Sequence, residues 1–156
     1  MNVSLYEHDF YAWANEQAAL LRSGNLAAAE IERIAEEIES MGRSEKRELE
    51  SRLDVLLLHL LKWRFQPSLR GNSWRLTIKE QRRKLTRHLE QNPSLKAELN
   101  PVIADAFGDA LIEAERETGL PENAFPTTCP WSFETIMDAD FWPGEEALRS
   151  DNGTNS

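Results

Sequence analysis

The chain has 156 residues, 40% hydrophobic and 29% charged, with a formal net charge of −9. That is enough for one domain with a real core, and the acidic balance argues against general affinity for nucleic acid or anionic membranes. The longest apolar run, Val55 to Leu58, is far short of the ~20 residues that span a bilayer. A single cysteine, Cys129, excludes a disulfide framework within the chain. The acidic N-terminal stretch MNVSLYEHDF lacks the basic-then-apolar order of a signal peptide, so a cytoplasmic protein without a membrane partner is expected.

Ser4-Leu5-Tyr6-Glu7 has the capping-box pattern that starts a helix. Phe10, Trp13, Gln17, Leu20 and Leu21 continue it at helical spacing, and Ser23-Gly24 stops it. Asn25 can cap a second helix. At ~100° per residue, Ile31, Ile38, Gly42, Leu49, Leu53, Leu56, Leu60 and Trp63 share one face within roughly 40°. The phase passes through Gly42 undisturbed, which predicts one continuous helix over about 26–64. Glu45 sits on its apolar stripe, so it needs a partner such as an arginine or a place at a gap in the packing. Around residues 53–61 this helix is apolar on nearly every side, the pattern of a bundle centre or a subunit interface.

Pro67 and Gly71 mark a turn, and Asn72 or Ser73 caps a third helix with Trp74, Thr77, Ile78, Gln81, Leu85 and Leu89 on one face. Asn92-Pro93 is a stop. Asn100-Pro101 reads as an N-cap followed by proline at the first helical position. The fourth helix carries Val102, Ile103, Ala106, Phe107, Ala110, Leu111 and Ala114, and Gly119 ends it. Residues 120–143 are rich in proline and aromatics, with Ser132 capping a short helix through Met137. The expectation is an all-α bundle of four main helices plus a short C-terminal one. It forms a single domain over 1–143, followed by a disordered polar tail over 144–156.

Charge is unevenly spread. Residues 62–88 hold nine Lys/Arg and one acid, Glu80, a net +8 that leaves −17 over the remainder. Trp63, Arg64, Arg70, Trp74, Arg75, Lys79 and Arg83 make a candidate basic and aromatic surface that could stack bases and hold phosphates. The competing reading is a packed corner, with Arg82 and Arg83 reaching toward acidic helices. Arg33, Arg43, Lys46, Arg47 and Arg52 could likewise pair with Glu36, Glu37, Glu39 and Glu45 between helices.

No Gly-rich phosphate loop, nucleophile elbow or CxxC pair occurs, and no Glu-x-x-His pair places two ligands on one helix face. No catalytic, cofactor-binding or metal-ligating residue is therefore assigned. A metal site would need ligands from different helices. Glu37, His59, Lys62 and Arg82 are the candidate polar cluster, although Glu37 and His59 would lie ~33 Å apart along one helix. His59 reads first as a core histidine bonded to a neighbour, and Cys129 as a structural thiol.

Four blocks resemble one family: YEHDFYAWANEQAALLRSGN, AEEIESMGRSEKRELESRLDVLLLHLLKW, SWRLTIKEQRRKL and FPTTCPWSFETIMDADFWP. In this order, over residues 5–143, they are similar to the bacterial family known as domain of unknown function 29. The resemblance implies an all-helical bacterial protein and no established activity, so it transfers no site residue. The expected function is a non-enzymatic cytoplasmic interaction module that self-associates through the leucine-rich centre of the long helix, or binds an unidentified protein partner. One alternative is an antitoxin-like regulator binding nucleic acid or an acidic partner through residues 62–88. Another is a metal- or ligand-binding bundle enzyme around His59.

Overall fold

The computed structural model describes residues 4–145. The tail expected from residue 144 lies, from 146 onward, outside the described residues. The fold is all-α, with the four main helices and the short C-terminal helix that periodicity requires: α1 Leu5–His8, α2 Phe10–Arg22, α3 Ile31–Phe65, α4 Asn72–Gln91, α5 Leu99–Thr118 and α6 Phe133–Met137. Among the described residues there is no strand. The chain divides into two units, 1–44 and 45–156, and α3 runs through the division without interruption. No helix among the described residues is long and apolar enough to cross a membrane.

In the N-terminal unit the expected first helix is two. Ser4 caps α1, its Oγ accepting from the Glu7 N–H. Asp9 then leaves the helical region (ψ 85°) and its Oδ1 accepts the Ala12 N–H at 3.0 Å, so Asp9 restarts the helix as the N-cap of α2. The long helix begins at Ile31, not near Leu26. The Glu30 backbone N–H donates to Gln17 Oε1 (2.7 Å), a tertiary cap that fixes the helix start. The Glu30 carboxylate also accepts from Trp13 Nε1 (2.6 Å) and Gln17 Nε2 (3.2 Å), which ties α2 to the start of α3. Tyr6 donates from its hydroxyl to Glu37.

In the C-terminal unit the core is continuous. Leu49, Leu53, Leu56, Leu57, Leu60 and Leu61 of α3 are fully buried against Ile78 and Leu85 of α4, Ala106, Phe107, Ala110 and Ala114 of α5, and Ile136 of α6. The leucine-rich centre is thus the middle of the chain's own core. Contacts fix the directions. Lys62 over the Trp74 ring at one end and His88 beside Glu45 at the other make α3 and α4 antiparallel. Lys46–Glu98 (3.3 Å) and Lys62–Glu117 (2.9 Å) make the C-terminal part of α3 and α5 parallel. The return path is the six-residue 3-10 segment Pro93–Glu98. α5 starts at Leu99 with Glu98 as N-cap, so Asn100 is not the cap, and Pro101 sits within the first turn, where its missing N–H costs nothing.

The Glu45 carboxylate meets no arginine among the described residues: it is 47% exposed and 3.7 Å from His88 Nε2, while that nitrogen donates to the Glu45 backbone carbonyl at 2.8 Å. Arg33, Arg43 and Arg52 pair with Glu30, Glu39 and Glu48 at i,i+3 or i,i+4 spacing, where the sequence suggested bonds between helices.

Candidate functional site

The proline- and aromatic-rich segment after α5 folds back across α3 and α4. Phe125, Ile136, Phe141 and Pro143 are buried in it. Two arginines fasten it. Arg82, only 7% exposed, donates from Nε to the Ile136 carbonyl (2.9 Å) and from Nη2 to the Phe141 carbonyl (2.8 Å). Its guanidinium also lies 5.4 Å over the Trp142 ring. Arg70 donates from Nε to the Trp63 carbonyl (2.7 Å) and from Nη2 to the Pro143 carbonyl (3.1 Å), and stacks over Trp63. Arg82 therefore does not reach toward an acidic helix. Its partners are backbone carbonyls, which an arginine fork can bridge.

This fastening leaves a cavity of about 450 Å³ between α4 and the folded-back segment. Arg75, Lys79, Arg82 and Arg83 supply its charge, and Thr86, Met137, Ala139 and Trp142 complete the wall. Four cations and no carboxylate face this space. Arg75 spends two donors on Asn72 Oδ1 (3.2 and 3.1 Å). Among the described residues, neither Lys79 nor Arg83 has an acidic partner within 4.0 Å. Burial pulls the Arg82 pKa down, with Asp138 opposing the shift, and an arginine stays charged at any ordinary pH. The volume falls within the ~300–1,000 Å³ range of small-molecule sites.

The sequence candidates separate into distinct environments. Arg75, Lys79, Arg82 and Arg83 meet in the cavity. Trp63, buried, packs on Trp142 with centroids 4.7 Å apart, and Arg64 lies over Phe65. Lys62 pairs with Glu117 and covers Trp74. The proposed polar cluster takes separate partners: Glu37 bonds Tyr6, His59 Nδ1 donates to the Val55 carbonyl (2.8 Å), Lys62 meets Glu117, and Arg82 meets two carbonyls. Burial lowers the His59 pKa and raises that of the half-buried Cys129 thiol, which suits structural roles for both. The sequence reading missed Thr86, Met137, Ala139 and Trp142. The cations at 75, 79, 82, 83 carried a usable signal, since they share one face of a helix.

The N-terminal unit carries a second cavity of about 450 Å³, nearly all apolar, bounded by Phe10, Trp13, Leu21, Ile34, Ile38 and Met41. Ile38 and Met41 are 63% and 68% exposed. The apolar stripe read from the sequence therefore exists along α3, but its N-terminal part faces outward.

These features define an all-α protein with a basic pocket between α4 and an arginine-fastened C-terminal segment. The chain belongs to the family described as Domain of unknown function DUF29, whose model matches residues 5–142. No curated protein and no solved structure matches it.

Proposed function

We propose that this is a non-enzymatic, cytoplasmic bacterial binding module that holds a phosphate or carboxylate group of a small molecule in the α4 pocket. The observation that carries this reading is the lining: four cations, no carboxylate, and a buried arginine already held in place. Guanidinium groups match phosphate and carboxylate oxygens in geometry as well as charge. The wall offers no imidazole, thiol or carboxylate to act as a base, which favours holding an anion over transforming it. A charge of −17 outside residues 62–88 repels an extended polyanion, so nucleic acid fits the pocket less well than a compact ligand does.

Calorimetric titration with pyrophosphate and with citrate tests this. One-site binding of either is expected, weakened about tenfold in a Lys79→Ala/Arg83→Ala variant, a loss of about 1.4 kcal/mol. Both substitutions are at exposed positions, so the melting temperature should hold. Absence of saturable heat with both anions, or equal affinity in the variant, overturns the proposal. Binding of only an Asp/Glu-rich peptide would move the anion's source to a protein partner.

A second reading is self-association, with the N-terminal unit as the contact. The leucines first suggested for it are inside the core of the other unit, whereas Phe10, Ile38 and Met41 are exposed beside an apolar groove. The hairpin of α2 and early α3 supplies both groove and apolar ridge, so a second copy is its natural occupant through a two-fold contact. Light scattering behind size exclusion should show a dimer that Ile38→Asp converts to monomer. A monomeric parent protein at tens of micromolar removes this reading.

A further inference from the structure

The described residues contain one group of side chains suited to a metal ion: Glu45 and Glu48 of α3 with His88 of α4. A carboxylate oxygen of each glutamate and a ring nitrogen of His88 lie within 4.8 Å of one another. The two glutamates are one helical turn apart on one face, and the antiparallel packing of α4 brings the histidine, forty residues further on, against them.

The histidine is 5% exposed, so its bonding must be accounted for. Nε2 donates to the Glu45 carbonyl at 2.8 Å. That bond places the proton of a neutral ring on Nε2 and leaves the Nδ1 lone pair unprotonated. Nδ1 lies 3.5 Å from Glu48 Oε2, close enough for the two atoms to share one small cation. The surroundings are those that metal-binding histidines and carboxylates use: a ring N–H anchored on a backbone carbonyl, and a carboxylate whose other oxygen is held elsewhere. Arg52 supplies the second, donating from Nε (3.1 Å) and Nη2 (2.7 Å) to Glu48 Oε1 and leaving Oε2 to the ion.

The spacing fits a small transition ion. Two ligands each ~2.1 Å from zinc and 3.5 Å apart subtend about 110° at the metal, the tetrahedral angle. Glu45, its side chain 47% exposed and its Oε2 3.7 Å from the ring Nε2, can turn to supply a third ligand. Water completes the set. We propose that His88 Nδ1, Glu48 Oε2 and the Glu45 carboxylate form a mononuclear site for a divalent transition ion of the zinc class. The site bridges α3 and α4, and it is independent of the anion pocket.

The test uses the full chain, stripped of metal and titrated with Zn²⁺ by calorimetry and with Co²⁺ by visible absorption. One equivalent of zinc and the intense visible bands of four-coordinate cobalt are expected. Glu48→Gln and Glu45→Gln should each weaken zinc at least tenfold while His88, the buried member, stays in place to preserve the fold. His88→Ala should abolish uptake, and an unfolded His88→Ala protein leaves the two glutamine variants to decide. A proton on Nδ1 would satisfy the same pair, so nitrogen-15 NMR of the imidazole is part of the experiment. Absence of saturable uptake, uptake unchanged in both glutamine variants, or a His88 ring still protonated on both nitrogens under saturating zinc overturns the site.

Discussion

Replacing Arg82 by methionine removes two hydrogen bonds and a buried charge while keeping an unbranched apolar stem in place. The bonds run to Ile136 O and Phe141 O, at 2.9 and 2.8 Å, and close loops of more than fifty residues. Hydrogen bonds to a charged group are worth about 1.5–3 kcal/mol each, so the two together supply about 3–6 kcal/mol. Two carbonyls left without donors add to the loss, while relief of the guanidinium's desolvation offsets part of it. A net destabilisation of about 2–4 kcal/mol is expected from these terms. Urea unfolding followed by far-ultraviolet circular dichroism measures it, and hydrogen exchange localises it. Amides of residues 133–143 should lose protection first, because Arg82 holds that segment and not the leucine core. Arg82→Lys should recover less than half of the loss, since one ammonium cannot bridge both carbonyls as a planar fork does. A methionine variant within about 0.5 kcal/mol of the parent, the range of ordinary surface changes, would refute this account of how the segment is fastened.

Gly144 has φ +90°, and a Cβ there would come 2.8 Å from Arg70 Nη2, so Gly144→Ala should cost about 1–3 kcal/mol by the same unfolding assay. Leu57→Ala opens a void in a fully buried site and should cost about 2–5 kcal/mol. Asp54 has its pKa raised by burial and then by the neighbouring charges of Asp109, Glu113 and Glu50, and its Oδ1 has no hydrogen-bond partner. The fold thus favours the protonated form. Its stabilising effect is fully present below the ordinary carboxylate pKa of about 3.9 and is lost as pH rises through the raised value. Asp54→Asn should therefore raise the melting temperature at neutral pH and leave it nearly unchanged in acid. An equal shift at both pH values would exclude the linkage.

The helices were legible because their signals are local. Gly119 ends α5 in the left-handed conformation, and Ser132 caps α6 by accepting from the Thr135 N–H, as the residue types require. Gly42 neither kinks the phase nor breaks the helix, and it lies in open space where no close approach demands a glycine. The start of α3 moved because it depends on a partner distant in sequence. Gln17 reaches from α2 to cap Glu30, and nothing in residues 25–31 announces it. Periodicity also states which face of a helix is apolar without stating whether anything covers it. Leu49 and Ile38 share a phase, yet one is fully buried and the other is mostly exposed.

The same distinction explains the sites. Net charge along residues 62–88 was readable, and so was the helical spacing that gathers Arg75, Lys79, Arg82 and Arg83. What those arginines bind was not, because backbone carbonyls are acceptors on every residue and carry no signature in the sequence. Arg82 reads as a surface cation until the C-terminal segment is placed over it. His88 reads as one more polar residue of a basic helix until α3 arrives with Glu45 and Glu48. In both cases the chemistry is made by packing two elements whose separation in sequence exceeds any motif. The leucines of α3 appear in no site, yet their burial sets the register of α3 against α4. A one-residue slip there turns each side chain by ~100° and would carry His88 away from the glutamates and Arg82 away from its carbonyls. The core is therefore the part of the sequence that specifies the sites, although it supplies none of their atoms.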